Sequence, residues 1–314
     1  MRCRLRRPSA VLILILSLFM AVPAIAGPNE DATKAYERGD YKTSFRLIKP
    51  LAEQGNPKSQ YNLGLMYALG QGVRQDYVEA VKWYRKAADQ GHVPAQYNLG
   101  FMYANGQGVP RDYGEAVKWY GKAADQGDAS SQYNLGHMYA LGQGVPRDYA
   151  KAVKWYRKAA DRGDASARFN LGLMYSSGQG VAQDHAEAVK WYRKAADQGD
   201  APAQYNLGLM YALGQGVPQG HAEAAKWYRK AADQGDASAQ FNLGLMYGKG
   251  QGVPQDFVLS HMWFTLAASR FPASEPERRV MAGNNVEVAA SKMTPAQIAE
   301  AQRLAREWKP KMRR

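Results

Sequence analysis

One cysteine, Cys3, occurs in 314 residues. With a single thiol the chain forms no internal disulfide and no cysteine metal site, so its stability has to come from packing. Long apolar runs are as scarce. The longest, Val11 to Val22, holds 12 residues, short of the roughly 20 that a membrane-spanning helix needs, so no membrane span is expected. Acidic residues are fewer than basic ones, 28 against 41, and charged residues make up only 22% of a chain that is 46% hydrophobic. That balance fits a folded protein and excludes wholesale disorder. Sequence signatures of hydrolases are missing as well: there is no Ser-x-x-Lys, no Gly-x-Ser-x-Gly and no His-Glu-x-x-His.

The first 26 residues have the form of a secretory signal. Arg2, Arg4, Arg6 and Arg7 precede the apolar run, and Ala24-Ile25-Ala26 supplies the small residues that a signal peptidase requires. Cleavage is expected near Ala26/Gly27, which makes the protein periplasmic or secreted. Setting those four arginines aside lowers the net charge from +13 to +9. Residues 27–56 are neutral, the stretch 57–272 carries +5, and residues 273–314 carry +4, much of it in Lys309, Lys311, Arg313 and Arg314. No continuous basic stripe results. Nucleic acid is not an expected partner, and at most weak contact with anionic envelope surfaces follows.

What the chain has in abundance is repetition. Trp83, Trp119, Trp155, Trp191, Trp227 and Trp263 are spaced by 36 residues, as are Tyr61, Tyr97, Tyr133, Phe169, Tyr205 and Phe241. Residues 93–128 match residues 201–236 at 27 of 36 positions, which implies duplication of one unit. Each unit reads as two helices. In the second copy, helix A runs through Ala95 to Tyr103 with Pro94 in its first turn. Gly106-Gln107-Gly108-Val109-Pro110 ends it, because glycine takes the left-handed cap conformation and proline cannot continue the helix. Asp112 with Glu115 reads as a capping box opening helix B. Ala116, Trp119, Tyr120, Ala123 and Ala124 then form its apolar face, and Gly127 closes it.

Gly100 recurs as Gly64, Gly136, Gly172, Gly208 and Gly244 in mid-helix, where glycine costs about 1 kcal/mol relative to alanine. Six such costs imply a close helix contact. Ala123-Ala124 offers a shallow complementary surface, with the tryptophan filling the gap beside it. The expected organisation is a signal peptide at 1–26, a degenerate repeat at 27–56 with a short helix A and a kink at Pro50, six repeats at 57–272, and capping helices with a basic tail at 273–314. The capping helices should open at Ser274 with Glu277 and at Thr294-Pro295 with Gln297.

The pattern Ala-x-x-x-Leu-Gly-x-x-Tyr-x-x-Gly-x-Gly-Val-x-x-Asp-x-x-x-Ala-x-x-Trp-x-x-x-Ala-Ala, complete from Ala95 to Ala124, is similar to that of the Sel-one-like repeat family, relatives of the tetratricopeptide repeats. The resemblance covers residues 31 to about 310, with departures such as Gly220 in place of the capping aspartate. It implies an all-α, right-handed superhelical solenoid of two-helix repeats with helix A on the concave side. Family members are mostly adaptors or regulators that hold other proteins. Cysteine-rich members have been described as penicillin-binding or weakly β-lactamase-like, but the disulfide of that subgroup has no counterpart here.

Repetition also weakens chemical readings of single residues. Asp112 and Glu115 recur as Asp76/Glu79 and Asp184/Glu187, so an acid/base pair would demand active sites in tandem. Lys118, Lys122 and Asp125 form an ordinary solvated stripe. His185 and His221 are 36 residues apart, and a metal site would need a third ligand. No catalytic residue, cofactor or metal is expected. Helix A keeps candidates for binding in a groove: Tyr97, Asn98, Phe101, Tyr133, Asn134, His137, Phe169, Asn170, Tyr205 and Asn206. Asparagine is a poor interior helix former, and two causes are open. The asparagines form an amide ladder that hydrogen-bonds a partner's backbone, or they satisfy a neighbouring loop while the aromatic rings pack between units. The expected function is a non-catalytic scaffold holding a protein or peptide in the cell envelope; the alternative is an envelope glycan or peptidoglycan binder with the tyrosines as stacking platforms.

Overall fold

The computed structural model describes residues 28–311, with side chains from Glu30 onward, so the expected secretory signal and cleavage site, Cys3, Arg313 and Arg314 lie outside the described residues. The described residues form sixteen α-helices and no strand. The chain divides into two compact units, Met1–Arg162 and Gly163–Arg314, each described by itself.

The first unit holds α1 (Pro28–Glu37), α2 (Tyr41–Glu53), α3 (Pro57–Leu69), α4 (Tyr77–Asp89), α5 (Val93–Asn105), α6 (Tyr113–Asp125), α7 (Ala129–Leu141) and α8 (Tyr149–Asp161). The second holds α9 (Ala165–Ser177), α10 (His185–Asp197), α11 (Ala201–Leu213), α12 (His221–Asp233), α13 (Ala237–Lys249), α14 (Phe257–Arg270), α15 (Pro276–Ala290) and α16 (Pro295–Glu307). From α3 to α14 the odd helices are the A and the even ones the B helices of successive repeats. Within each unit every helix packs against its chain neighbours, apart from α16, which reaches past α15 to α14. Pro50 lies inside α2 without ending it.

Sequence explains the helix ends. Except in α5, which follows His92 without a side-chain cap, helix A begins after an aspartate or asparagine whose side chain accepts from the backbone amide three residues on, as Asp128 does from Ser131 at 2.7 Å. It ends at a left-handed glycine, as at Gly106 with φ 67°. Helix B opens on Asp112, which accepts from the Glu115 amide at 3.0 Å. The expected capping box is only half made: Glu115 does not reach back but meets Lys118 at 3.1 Å and the Trp119 indole at 3.2 Å. A complete box forms at Thr294 and Gln297. The expected opening at Ser274 moves to Glu275, with Pro276 in the first turn and no side-chain cap, because proline at that position sets the helix start.

The mid-helix glycines mark a close contact, with a different partner from the one expected. A Cβ on Gly100 would stand 2.8 Å from the Tyr120 ring, and one on Gly136 2.6 Å from Tyr156. Helix A therefore rests on the helix B tyrosine rather than on the alanine pair. The tryptophan works between repeats: Trp119 of α6 joins Tyr61, Tyr84, Ala88, Leu99 and Met102 in one core cluster. The second loop glycine also has a role beyond ending the helix. Gly108, at φ 70°, lies against the Tyr77 carbonyl at the start of the preceding helix B, and a Cβ there would overlap that backbone.

Candidate functional site

The helix A positions separate into those that folding uses and those that stay open. Tyr97, Tyr133 and Tyr205 are half-buried, and their rings lie 5.7–5.8 Å from Tyr120, Tyr156 and Tyr228 of the same repeat. They extend the glycine–tyrosine contact between the two helices. Phe169 does the same against Tyr192 at 6.0 Å and is buried. Phe101 is half-buried and packs on the cores of both its neighbours.

The asparagines are drawn into the joint between repeats. Asn98 lies within hydrogen-bonding reach of the hydroxyls of Tyr61 and Tyr84, both from the preceding repeat. Burial pushes both phenols up, and the Asn98 contact opposes that shift. Asn242 stands in the same relation to Tyr205 and Tyr228. Asn206 donates to the Pro202 carbonyl at 2.8 Å, and Asn134 is half-buried. Of the ten expected groove residues, three are corrected outright: His137, Phe169 and Asn170 are buried, with exposures of 5%, 6% and 0%. A partner docking on the folded array meets none of them, because the packing that joins the helices covers them.

Solvent is met two turns beyond the asparagines, at the end of helix A. Leu141 is 42% exposed and Leu213 54% exposed. They follow Asn134 and Asn206 by seven residues, which places each on the same helix face as its asparagine. The signal was present as a leucine recurring at the last helical position, but core-facing and outward leucines look alike in a sequence.

The buried glutamines were also overlooked. Gln60, Gln96, Gln132, Gln204 and Gln240 donate to the carbonyls of Ala52, Ala88, Ala124, Ala196 and Ala232 at 3.0–3.1 Å. Each caps the C-terminal end of the preceding helix B, so they hold repeats together.

The histidines are dispersed. His92 is the residue before α5 and stacks 4.9 Å from Tyr61, and burial lowers its pKa. His185 and His221 open α10 and α12 beside Gly216 and Gly252. His261 is buried next to Thr265. Among the described residues no three histidine, cysteine or carboxylate side chains converge. No described helix is long and apolar enough to cross a membrane.

This arrangement offers a recurrent helical face with apolar and amide groups, set on a tightly jointed frame. The Sel1 repeat model matches residues 57–92, 93–128, 129–164, 165–200, 201–236 and 237–270. A crystal structure of a Sel1 repeat protein from Oxalobacter formigenes is similar at 35% identity and a TM-score of 0.68, covering 77% of this chain and 97% of that one. A protective antigen present in uropathogenic Escherichia coli strains, displaying an SLR fold, is 30% identical over 90% of this chain and 75% of its own, with a TM-score of 0.40. An immunity protein from Pseudomonas aeruginosa, Pa5087, is 27% identical over 74% of this chain and 81% of its own, also at 0.40. No curated protein matches. Six consecutive matches over most of the described helices establish that the chain belongs to the Sel1 repeat family, whose members are generally protein-interaction scaffolds and typically non-catalytic.

Proposed function

We propose that this protein is an exported, non-catalytic scaffold of the cell envelope, periplasmic or secreted, that holds a protein or peptide partner on the exposed face of helix A. One observation carries the reading. The glycines and aromatic rings of helix A that recur in every repeat are taken up by packing on helix B, whereas Leu141 and Leu213 remain open on helix A beside the half-buried Asn134 and Asn206. An apolar side chain next to an amide is what a partner helix or extended segment can both bury and hydrogen-bond. Glycan binding has less support, because the tyrosines it would use as stacking platforms lie against helix B.

A photo-crosslinking residue placed at Leu141 or Leu213 in the full chain, expressed in its own cells, should yield a discrete protein adduct. The same probe at Lys226, exposed on helix B, should not. Adducts from Lys226 alone would remove helix A from the proposal. Mass analysis of the exported chain should give Gly27 as its first residue.

A further inference from the structure

Near-identical repeats serve as one another's controls, and the second and third repeats each depart from the rest at one position of their B helices. The first is on α8. Four B helices carry a glutamate one turn in, paired with the lysine three residues on: Glu79–Lys82 at 2.5 Å, Glu115–Lys118 at 3.1 Å, Glu187–Lys190 at 2.9 Å and Glu223–Lys226 at 2.5 Å. Here Lys151 replaces the glutamate and is followed by Lys154. A like-charged pair at this spacing weakens a helix instead of supporting it. Asp148 caps the Lys151 amide at 2.9 Å, and its second oxygen is 3.7 Å from Lys151 Nζ. Six basic residues stand against three acidic ones in residues 129–164.

The second departure is Gly121, at the position of Arg85, Arg157, Arg193 and Arg229 in other copies. Arg85 lies over the rings of Tyr103 and Trp119 of the next repeat, 5.6 and 5.8 Å from their centres, and Trp119 is 2% exposed. Arg229 covers Tyr247 and Trp263 in the same way, at 5.4 and 5.1 Å. Gly121 has no side chain to place over Tyr139 and Trp155, and a Cβ there would meet nothing within 4 Å. Lys151 lies over Tyr139 instead, at 5.4 Å. Trp155 alone in the tryptophan series is left half-buried, with Lys158 4.1 Å over its ring.

We infer that this face of α8 docks a short acidic peptide segment, whose carboxylates meet Lys151, Lys154 and Lys158 and whose apolar side chain fills the space at Gly121 against Trp155. The three lysines are exposed and lie on one side of the helix, over about 10 Å at the helical rise. That length suits a few carboxylates. A long polyanion or a charged membrane would extend beyond it, and the equivalent position one repeat before carries Glu115, which repels negative charge. The inference uses the B helices of two adjacent repeats, α6 and α8, and is independent of the helix A surface proposed above.

The test is fluorescence anisotropy of a fluorescein-labelled Glu-Glu-Leu-Glu-Glu peptide with the full chain. Saturable binding is expected, weakening by about tenfold from low to high salt as screening removes the attraction. Lys151→Glu, which restores the residue of the other repeats, should weaken it by about tenfold. Gly121→Arg should also weaken it while raising the melting temperature, so loss of binding and loss of fold are separable. Lys292→Glu makes the same charge change elsewhere and should stay within about twofold of the unsubstituted chain. No saturable binding, unchanged affinity in Lys151→Glu, or equal loss in Lys292→Glu would overturn the inference. So would Lys151-dependent sedimentation with phosphatidylglycerol vesicles in the absence of peptide binding.

Discussion

Two kinds of contact hold this protein together, and both depend on glycine for different reasons. Inside a repeat, helix A meets helix B through a bare glycine against an aromatic ring: Gly100 on Tyr120, Gly208 on Tyr228, Gly244 on Phe264. Between repeats, a loop glycine with positive φ lies against backbone: Gly108 on Tyr77, Gly144 on Tyr113, Gly252 on His221. A ring can tilt to admit a methyl group. A carbonyl at the start of a capped helix cannot, and alanine also resists the left-handed conformation. The joint should therefore be less tolerant than the seam, although the seam contains the larger side chains.

Raising the pH should break the seam most completely. Burial pushes the phenols of Tyr84, Tyr120 and Tyr228 above the usual 10.0. A group whose folded pKa exceeds its unfolded one gives stability that is present below the unfolded value and lost as pH rises above it. Melting temperatures followed by circular dichroism should thus fall steeply above pH 10.0, and a flat profile there would show that the hydroxyls are not sealed in. Tyr228→Phe should make that fall shallower, since Phe264 already fills the same place in the sixth repeat.

Next in size, Gly108→Ala should cost about 3 kcal/mol in denaturant unfolding, combining a left-handed alanine with overlap on fixed backbone. Gly100→Ala should cost only about 1 kcal/mol, because the crowding of Tyr120 is offset in part by the better helix propensity of alanine. Equal losses at the two positions would erase the distinction between joint and seam. Asp112→Ala should lose about 1 kcal/mol through its cap, and Gly220→Asp should gain only a few tenths, since glycine is itself a tolerable N-cap. Both are read as shifts in the unfolding midpoint, and both leave seam and joint untouched.

The sequence made the period, the helices and their ends legible, because each depends on residues close along the chain: Gly106 as a left-handed stop, Asp112 as a cap, the apolar stripe from Ala116 to Ala124. It was also legible that Gly100 marks a close approach, since nothing else justifies glycine inside a helix. Which residue it approaches was not, because periodicity defines the face of a helix and leaves its partner across the contact open. The same gap affected the candidate site. Asn98 and Asn170 looked equivalent in the sequence, yet Asn98 meets tyrosine hydroxyls of the preceding repeat and Asn170 is wholly buried. Leu141 and Leu213 passed as ordinary helix ends until their exposure was known. The departures at Gly121 and Lys151 are visible in the sequence, but only the structure shows Lys151 lying over Tyr139 and Trp155 left half-buried.

By itself the sequence determined a six-fold repetition of two capped helices and, through it, the family. These follow from local rules that act within a turn or two of helix and are written out six times. The tertiary structure decided which recurring side chains are spent on joining the helices and which are left to a partner. That depends on distances between residues about 20 to 36 positions apart, such as Gly100 to Tyr120 and Gly108 to Tyr77, and no local rule sets them.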